Sequence, residues 1–234
     1  MKTNIQNRRG FTLVELLVVI VIIASLAGLT APMVIRQRKK ADQTQATNNA
    51  RQIGLALTEF DNDYGSYPGT TSLTQLDSDA DVTGTAGGDS NGYFRMLIQA
   101  DLTQSEDMFY AKAKRTIKPD GNITSNTEAL KAGEVGFGYL TNGTEGLSSA
   151  GNPARPLVIA PLTPGEDTLD PEPFDKNLVA LRGDNSVVSL KMKVASGATV
   201  GTVKQGEEDL FAAGNPIWNG TAPDINPPLE SGAP

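Results

Sequence analysis

Cysteine and histidine are both absent from the 234 residues of this chain. Without cysteine, the fold has no disulfide bridge and the chain offers no thiol nucleophile. Without histidine, it lacks the commonest general base and the commonest metal ligand, together with the Ser/His/Asp and Cys/His arrangements of many hydrolases. These two absences exclude most hydrolase mechanisms.

Negative charge dominates the chain, but not its first forty residues. Residues 1–40 carry seven basic side chains against Glu15 alone, a charge of +6, whereas residues 41–234 carry thirteen basic and twenty-six acidic side chains, a charge of −13. A nucleic-acid-binding protein needs a basic face, so we expect no nucleic-acid partner. The basic cluster at 36–40 is typical of a headgroup-level stop after a membrane helix. A second interpretation is a basic collar that meets acidic domains of neighbouring subunits.

One long apolar segment distinguishes the N-terminal region. Residues 16–35 contain no charged side chain, and twenty residues of helix span about 30 Å, the thickness of the hydrocarbon core of a bilayer. Leucine, valine and isoleucine occupy every face of this helix, which suits lipid or a helix bundle. The sequence therefore predicts a membrane-spanning helix, with a buried core helix as the alternative.

Three details set this segment apart from an ordinary membrane anchor. A basic leader ends at Gly10, directly before Phe11, so cleavage there would leave the apolar helix on the mature chain, unlike in a secretory signal peptide. Glu15 places an acid near the start of the apolar run, and ionisable residues in membrane segments are functional candidates. Gly28 and Pro32 are expected to loosen the far end of the helix, since proline removes a backbone donor.

This N-terminal region resembles the class III signal of type IV pilins and type II secretion pseudopilins, on the string GFTLVE at 10–15 and the apolar run after it. The resemblance implies that a prepilin peptidase cleaves between Gly10 and Phe11 and methylates the new amino group of Phe11. It also implies that Glu15 neutralises the Phe11 amine of a neighbouring subunit during assembly. Pro32 falls where many pilins have a helix-loosening proline.

The same resemblance sets expectations for function. It implies a structural subunit of a type II secretion pseudopilus or a related type IV pilus-like filament, without enzymatic activity. The expected partners are other copies or pilin-like subunits, the prepilin peptidase, membrane lipid, and an assembly platform and ATPase at the bacterial inner membrane. The N-terminus would be cytoplasmic and the globular domain extracytoplasmic, later in a filament in the periplasm or at the cell surface. The contrasting interpretation, a single-span anchored binding domain or enzyme, leaves Glu15 and the Gly10–Phe11 junction unexplained.

The helix is expected to continue beyond the apolar run. Six apolar or aromatic side chains follow at spacings of three and four residues, namely Ala46, Ala50, Ile53, Leu57, Phe60 and Tyr64. This pattern predicts one helix from Phe11 to about Asn62, whose second half lays an apolar stripe on a globular domain. The expected organisation is a leader (1–10), an apolar transmembrane or fibre-core helix (11–35), an amphipathic helix (36–64), a globular α+β domain (65–204) and a proline-rich tail (205–234).

The predicted fold class is α+β and pilin-like, with the long N-terminal helix packed on a small antiparallel sheet. The clearest hairpin joins the apolar runs 178–181 and 187–190 across the turn at 182–185. The aromatic side chains at 93–94 and 109–110 are expected in the core. The tail either drapes over the sheet with Trp218 as an anchor or stays disordered.

Residues 69–92 are rich in glycine, threonine, serine and aspartate. Four of the aspartates could offer oxygen ligands to calcium, namely Asp77, Asp79, Asp81 and Asp89. Their spacing lacks the glycine and the terminal glutamate of an EF-hand. By the same resemblance, major pseudopilins hold calcium in a loop nearer the C-terminus. A solvated loop without a cofactor is therefore the preferred interpretation, and calcium binding the alternative.

Overall fold

The computed structural model describes residues 11–196, 198, 200–205 and 208–231. The chain divides into two compact units, one ending at Arg38 and the other comprising Lys39–Pro234. The helices are α1 (Leu13–Tyr64), α2 (Thr70–Leu73) and α3 (Ser90–Gln99), with 3-10 helices at Asp107–Phe109 and Pro216–Trp218. The strands are β1 (Gly138–Asn142), β2 (Glu145–Gly146), β3 (Pro156–Ala160), β4 (Asn177–Arg182), β5 (Val187–Lys193), β6 (Thr202–Gln205), β7 (Glu208–Asp209) and β8 (Asp224–Asn226).

Helix α1 is amphipathic within the second unit. Its polar side faces solvent, where Leu55 is an exception at 64% exposure. The apolar positions that recur every three or four residues are buried in the core, namely Ala46, Ala50, Ile53, Leu57 and Phe60. The sequence periodicity thus predicted both the helix and its buried face.

The described strands form an antiparallel sheet in the order β2-β1-β3-β4-β5-β6-β7, and β8 pairs with β1. The predicted hairpin is confirmed as β4–β5, with Leu178 opposite Leu190 and Leu181 opposite Val187. Asn185 in its turn has a φ of 62°, a left-handed conformation that asparagine tolerates better than most residues. Together with the long helix, this sheet confirms the predicted α+β class.

Gly54 allows α1 to approach the β4–β5 turn. A Cβ atom at this position would lie 2.0 Å from Asn185 Oδ1 and 2.8 Å from Leu181 Cδ1. Both distances are shorter than any normal contact, so a larger residue would push the turn away from the helix. Glycine in mid-helix costs about 1 kcal/mol relative to alanine, and the close packing explains its presence.

Aromatic side chains connect α3 to the sheet. The ring centroids of Tyr93 and Tyr139 are 4.9 Å apart, as are those of Phe94 and Phe109. All four side chains are fully buried, and aromatic pairs at this separation contribute about 0.5–1.5 kcal/mol beyond their burial. The expectation that these aromatic residues belong to the core is confirmed.

The structure contains a short helix within the segment 69–92, which was predicted to be a loop. It also distinguishes between the two predictions for the tail, which was expected either to drape over the sheet or to stay disordered. The short helix α2 lies within the predicted loop, where the buried Ser72 Oγ accepts a hydrogen bond from Gly69 N at 3.0 Å. Four residues are too few to show a helical period. In the described part of the tail, Trp218 is buried in the core and β8 pairs with β1, so the tail drapes over the sheet.

Candidate functional sites

The first candidate site is the beginning of α1. Thr12 precedes the helix as its N-cap, and Glu15 is the third helical residue. Glu15 Oε2 accepts hydrogen bonds from Thr12 N at 2.9 Å and from Thr12 Oγ1 at 2.7 Å, while Glu15 N donates to Thr12 Oγ1 at 3.2 Å. This reciprocal arrangement is a capping box, which satisfies backbone donors that the first helical turn leaves free. Within the isolated chain, Glu15 therefore has a structural partner.

Sequence reasoning missed the capping box, although its signal is present. A threonine followed three residues later by a glutamate, before an apolar run, is the pattern of such a box. Phe11 lies directly before it and is 80% exposed, whereas Gly10 lies outside the described residues. The predicted cleavage after Gly10 and methylation of Phe11 remain predictions.

The apolar side chains of the first unit are exposed in the isolated chain. Every large hydrophobic residue described between Leu13 and Ile35 has at least 48% of its surface accessible. A contiguous apolar surface of this length marks a site for lipid or for other chains. By length and composition, no single described helix qualifies as a membrane span, while the stretches Leu13–Leu29 and Met33–Tyr64, bent at the break between them, qualify as a pair.

Gly28 and Pro32 lie at or near this break. A Cβ atom on Gly28 would have no neighbour within 4 Å, so packing does not require glycine there. Pro32 lies within the residue range of α1. Their predicted role in loosening the helix remains a prediction.

The four aspartates of the predicted calcium alternative engage in local hydrogen bonds or face solvent. Asp89 is the N-cap of α3, where its Oδ1 accepts from Gly92 N at 2.8 Å. Asp77 Oδ1 accepts from Asp79 N at 2.9 Å in a turn, and Asp81 is exposed. Within the described chain, the carboxylate group that converges is a different one.

That converging group consists of Glu106, Asp120 and Glu134, whose oxygens lie within 4.8 Å of one another. Glu106 and Glu134 are buried, with 1% and 2% exposure. Glu106 accepts hydrogen bonds from Leu130 N at 2.5 Å and Gly121 N at 2.9 Å. Burial raises the pKa of Glu106, and the nearby charges of Glu134 and Asp120 add to the rise.

Backbone amides and one lysine already satisfy this carboxylate group. Glu134 accepts from Lys131 N at 2.7 Å and from Asp120 N at 3.3 Å. The Lys131 ammonium contacts Asp120 Oδ2 at 2.6 Å and Glu128 Oε2 at 2.7 Å, and its hydrogen bond lowers the pKa of Asp120. These hydrogen bonds connect Glu106 and Glu134 to the backbone of the segment 120–131.

Chelation of divalent cations should therefore leave the thermal midpoint of the protein unchanged. The measurement is a melting curve of the full chain in detergent, with EDTA and with added calcium. A calcium-dependent rise that disappears in Asp79→Ala would contradict the solvated-loop interpretation. A rise that disappears in Asp120→Asn instead would place an ion in the carboxylate group around Glu106.

The N-terminal region of the chain matches a known family model. The family model described as the prokaryotic N-terminal methylation motif matches residues 5–31. The chain carries a prepilin-type methylation segment. The resemblance on residues 10–15 is thereby confirmed.

Three curated relatives match this chain over 64 to 67 residues, and all are named type II secretion system core protein G. The protein of Pectobacterium carotovorum subsp. carotovorum is 40% identical over 64 residues, which cover 27% of this chain and 41% of the relative. That of Escherichia coli K12 is 41% identical over 64 residues, 27% of this chain and 44% of the relative. That of Aeromonas hydrophila is 42% identical over 67 residues, 28% of this chain and 47% of the relative.

The chain thus spans less than half the length of these curated relatives. The matched residues make up 27–28% of this chain, so most of the chain lies outside the match. No solved structure matches the chain significantly.

Proposed function

We propose that the chain is a structural subunit of a type II secretion pseudopilus or of a related type IV pilus-like filament. One observation carries the proposal: the methylation segment opens a helix whose large apolar side chains are exposed from Leu13 to Ile35. Burying a leucine, isoleucine or valine side chain contributes about 1.5–3 kcal/mol. A row of such side chains therefore favours lipid before assembly and the helices of other subunits afterwards.

The proposed pathway begins with processing at the inner membrane. A prepilin peptidase would cleave after Gly10 and methylate the amine of Phe11. A platform protein and an ATPase would then transfer the subunit from lipid into the growing filament. The N-terminus would lie in the cytoplasm before cleavage, with the unit from Lys39 onward on the extracytoplasmic side.

Glu15 would guide the transfer into the filament. The Phe11 amine of a neighbouring subunit would replace water around the Glu15 carboxylate. The offset between the two subunits would follow from this pairing. Ion pairs in apolar surroundings contribute specificity more than stability. The proposed role is therefore to set the register between subunits.

An enzymatic role lacks support from the chain's chemistry. The anchored-enzyme interpretation requires carboxylates in an open cleft, whereas Glu106 and Glu134 are buried and bonded to backbone amides. Histidine and cysteine are absent from the sequence. We therefore propose a role without catalysis.

Overproduction of the chain together with its assembly system should give filaments that contain it. The measurement is electron microscopy of sheared cells with antibody against the globular unit, and a strain without the assembly ATPase is the control. Labelled filaments in the complete strain alone are expected. A chain that stays membrane-bound in both strains, with its partner genes expressed, would contradict the proposal.

A further inference from the structure

A small pocket lies between the end of β1 and the second 3-10 helix, within the unit Lys39–Pro234. Thr141 and Asn142 of β1, Arg155 directly before β3, and residues of the segment 218–223 line it. Its volume is about 160 Å³, well below the roughly 300–1,000 Å³ of pockets for drug-sized ligands. The pocket therefore suits a very small molecule or a single side chain.

Two contacts hold Arg155 at the wall of this pocket. Its Nε donates a hydrogen bond to Ile217 O at 2.5 Å, and its guanidinium carbon lies 5.8 Å from the centre of the Trp218 ring. A guanidinium within about 6 Å of an indole ring is attracted by the negative face of the ring. Trp218 is itself buried, and its Nε1 donates to Leu210 O at 2.6 Å. The guanidinium is thus positioned before any ligand arrives.

The Arg155 guanidinium lacks a counter-charge in the described part of the chain. Its Nε is the one guanidinium nitrogen with a hydrogen-bond partner there, and the side chain forms no ion pair with any described residue. Of the residues that line the pocket, Arg155 alone is charged. Asp224 follows the lining residue Pro223, but its Oδ2 accepts from Gly143 N at 2.7 Å. The lining residues thus carry one positive charge, in a chain whose net charge is −7.

The lining groups indicate the chemical class of a ligand. A guanidinium binds carboxylates and phosphates through two parallel hydrogen bonds. A phosphate monoester carries a charge of about −1.5 to −2 at neutral pH, which one guanidinium does not neutralise, whereas a carboxylate carries a single charge. Asn142, Asn219 and Thr221 add amide and hydroxyl groups, and Leu147 and Pro223 add apolar surface for an alkyl group.

We propose that this pocket, here called the Arg155 pocket, binds one carboxylate group, whose alkyl part lies against the apolar wall. A short free acid and an aspartate or glutamate side chain of a second copy present the same chemistry. The inference goes beyond the proposed function and does not depend on it, because all the lining residues lie in the unit Lys39–Pro234.

Trp218 provides a direct test, because it is the single tryptophan of the chain and lines the pocket. Its fluorescence is measured while the full chain in detergent at pH 7 is titrated with sodium acetate, with sodium chloride keeping the ionic strength constant. The emission should change saturably, because acetate alters the charge next to the indole ring. Acetamide, an uncharged molecule of similar shape, should give no saturable change, and inorganic phosphate should bind more weakly than acetate.

Two pairs of variants separate the charge from the fold. Arg155→Gln should weaken acetate binding about ten- to a hundredfold, since hydrogen bonds to a charged group are lost, whereas Arg51→Gln, an equal charge change at an exposed position of α1, should not. Because Arg155 also bonds to Ile217 O, the second pair leaves it in place. Ala222→Glu adds a carboxylate at an exposed lining position and should abolish acetate binding, whereas Ala222→Gln, of similar size, should retain more of it.

Dilution of the protein distinguishes the two sources of the carboxylate. Without acetate, an emission spectrum that changes with protein concentration in the wild type but not in Arg155→Gln would identify a side chain of a second copy. A spectrum that does not change with concentration, together with saturable acetate binding, would identify a short free acid. The proposal would be overturned by the absence of a saturable change with acetate, by an equal response to acetamide, by tighter binding of phosphate, or by wild-type binding in Arg155→Gln or Ala222→Glu.

Discussion

Glu15→Val should keep the chain out of filaments while leaving its membrane insertion and its cleavage after Gly10 intact. Insertion should improve slightly, because an acid costs about 2.5–3.5 kcal/mol at the centre of a membrane helix and less near its end, where Glu15 lies, whereas valine favours insertion. Filament yield should fall about tenfold or more when the variant is the only copy, since each 1.4 kcal/mol lost at a contact is a factor of ten. The measurement is the amount of sheared filament relative to the membrane pool.

The capping box makes a sharper experiment available. Glu15→Gln keeps a side chain that suits the third position of a capping box but carries no charge. Thr12→Ala removes the cap, at a cost of about 1 kcal/mol, and keeps the charge of Glu15. Under the pairing mechanism, Glu15→Gln fails like Glu15→Val, and Thr12→Ala assembles at a reduced rate.

Two results would contradict the pairing mechanism. If Glu15→Gln assembles like the wild type while Thr12→Ala fails, the cap of α1 matters and the charge does not. If Glu15→Val assembles at the wild-type rate, neither matters. Val14→Ala, which changes an exposed apolar neighbour without touching the box, is the matched control for loss of apolar surface.

The second large effect is expected at Glu106, away from the N-terminus. Glu106→Ala removes the acceptor of Leu130 N, which is buried, and of Gly121 N. A buried donor left without a partner costs about 1–3 kcal/mol, and the lost side chain leaves a cavity. The free energy of unfolding should fall by about 2–4 kcal/mol, measured by urea denaturation of the full chain in detergent. Glu106→Gln retains an acceptor for Leu130 N and should lose less.

The raised pKa of Glu106 also predicts a direction for the pH dependence. Burial raises the pKa of this carboxyl in the folded state, so between its unfolded and folded pKa values the folded chain binds more protons than the unfolded chain. Stability contributed by Glu106 therefore increases as the pH falls from neutral through the folded pKa, and is lost as the pH rises again. Glu106→Gln should lack this increase. A wild type whose stability responds to pH in this range as Glu106→Gln does would contradict the assignment.

The buried face of α1 and the β4–β5 hairpin could be predicted because the apolar residues in both segments recur at regular intervals. The buried positions of α1 recur every three or four residues, and the β4–β5 hairpin alternates around a turn that contains Asn185. Both patterns arise because a helix or a strand buries one face along its whole length, so that apolar residues recur at a regular interval in the local sequence. Helix α2 was missed because four residues hold no period; the hydrogen bond from Gly69 N to Ser72 Oγ closes its first turn.

The carboxylate group around Glu106 could not be predicted in this way. Glu106, Asp120 and Glu134 lie fourteen residues apart in sequence, in segments without regular spacing, and only tertiary packing brings them together. The aspartates at 77–81 are a candidate cation site because they are close in sequence, yet Asp77 Oδ1 accepts a hydrogen bond from Asp79 N within the same turn. Spacing in sequence is informative for a local cap such as Thr12 and Glu15, and uninformative for a site assembled from loops.

The N-terminus of the mature protein tests the central claim most directly. Mass spectrometry of the chain purified from cells that contain the prepilin peptidase should show a protein that begins at Phe11, with one methyl group on its amine. Gly10→Val should leave the leader attached. A mature chain that begins at Met1, or at a residue beyond Ala31, would contradict the assignment of this chain as a processed pilin-like subunit.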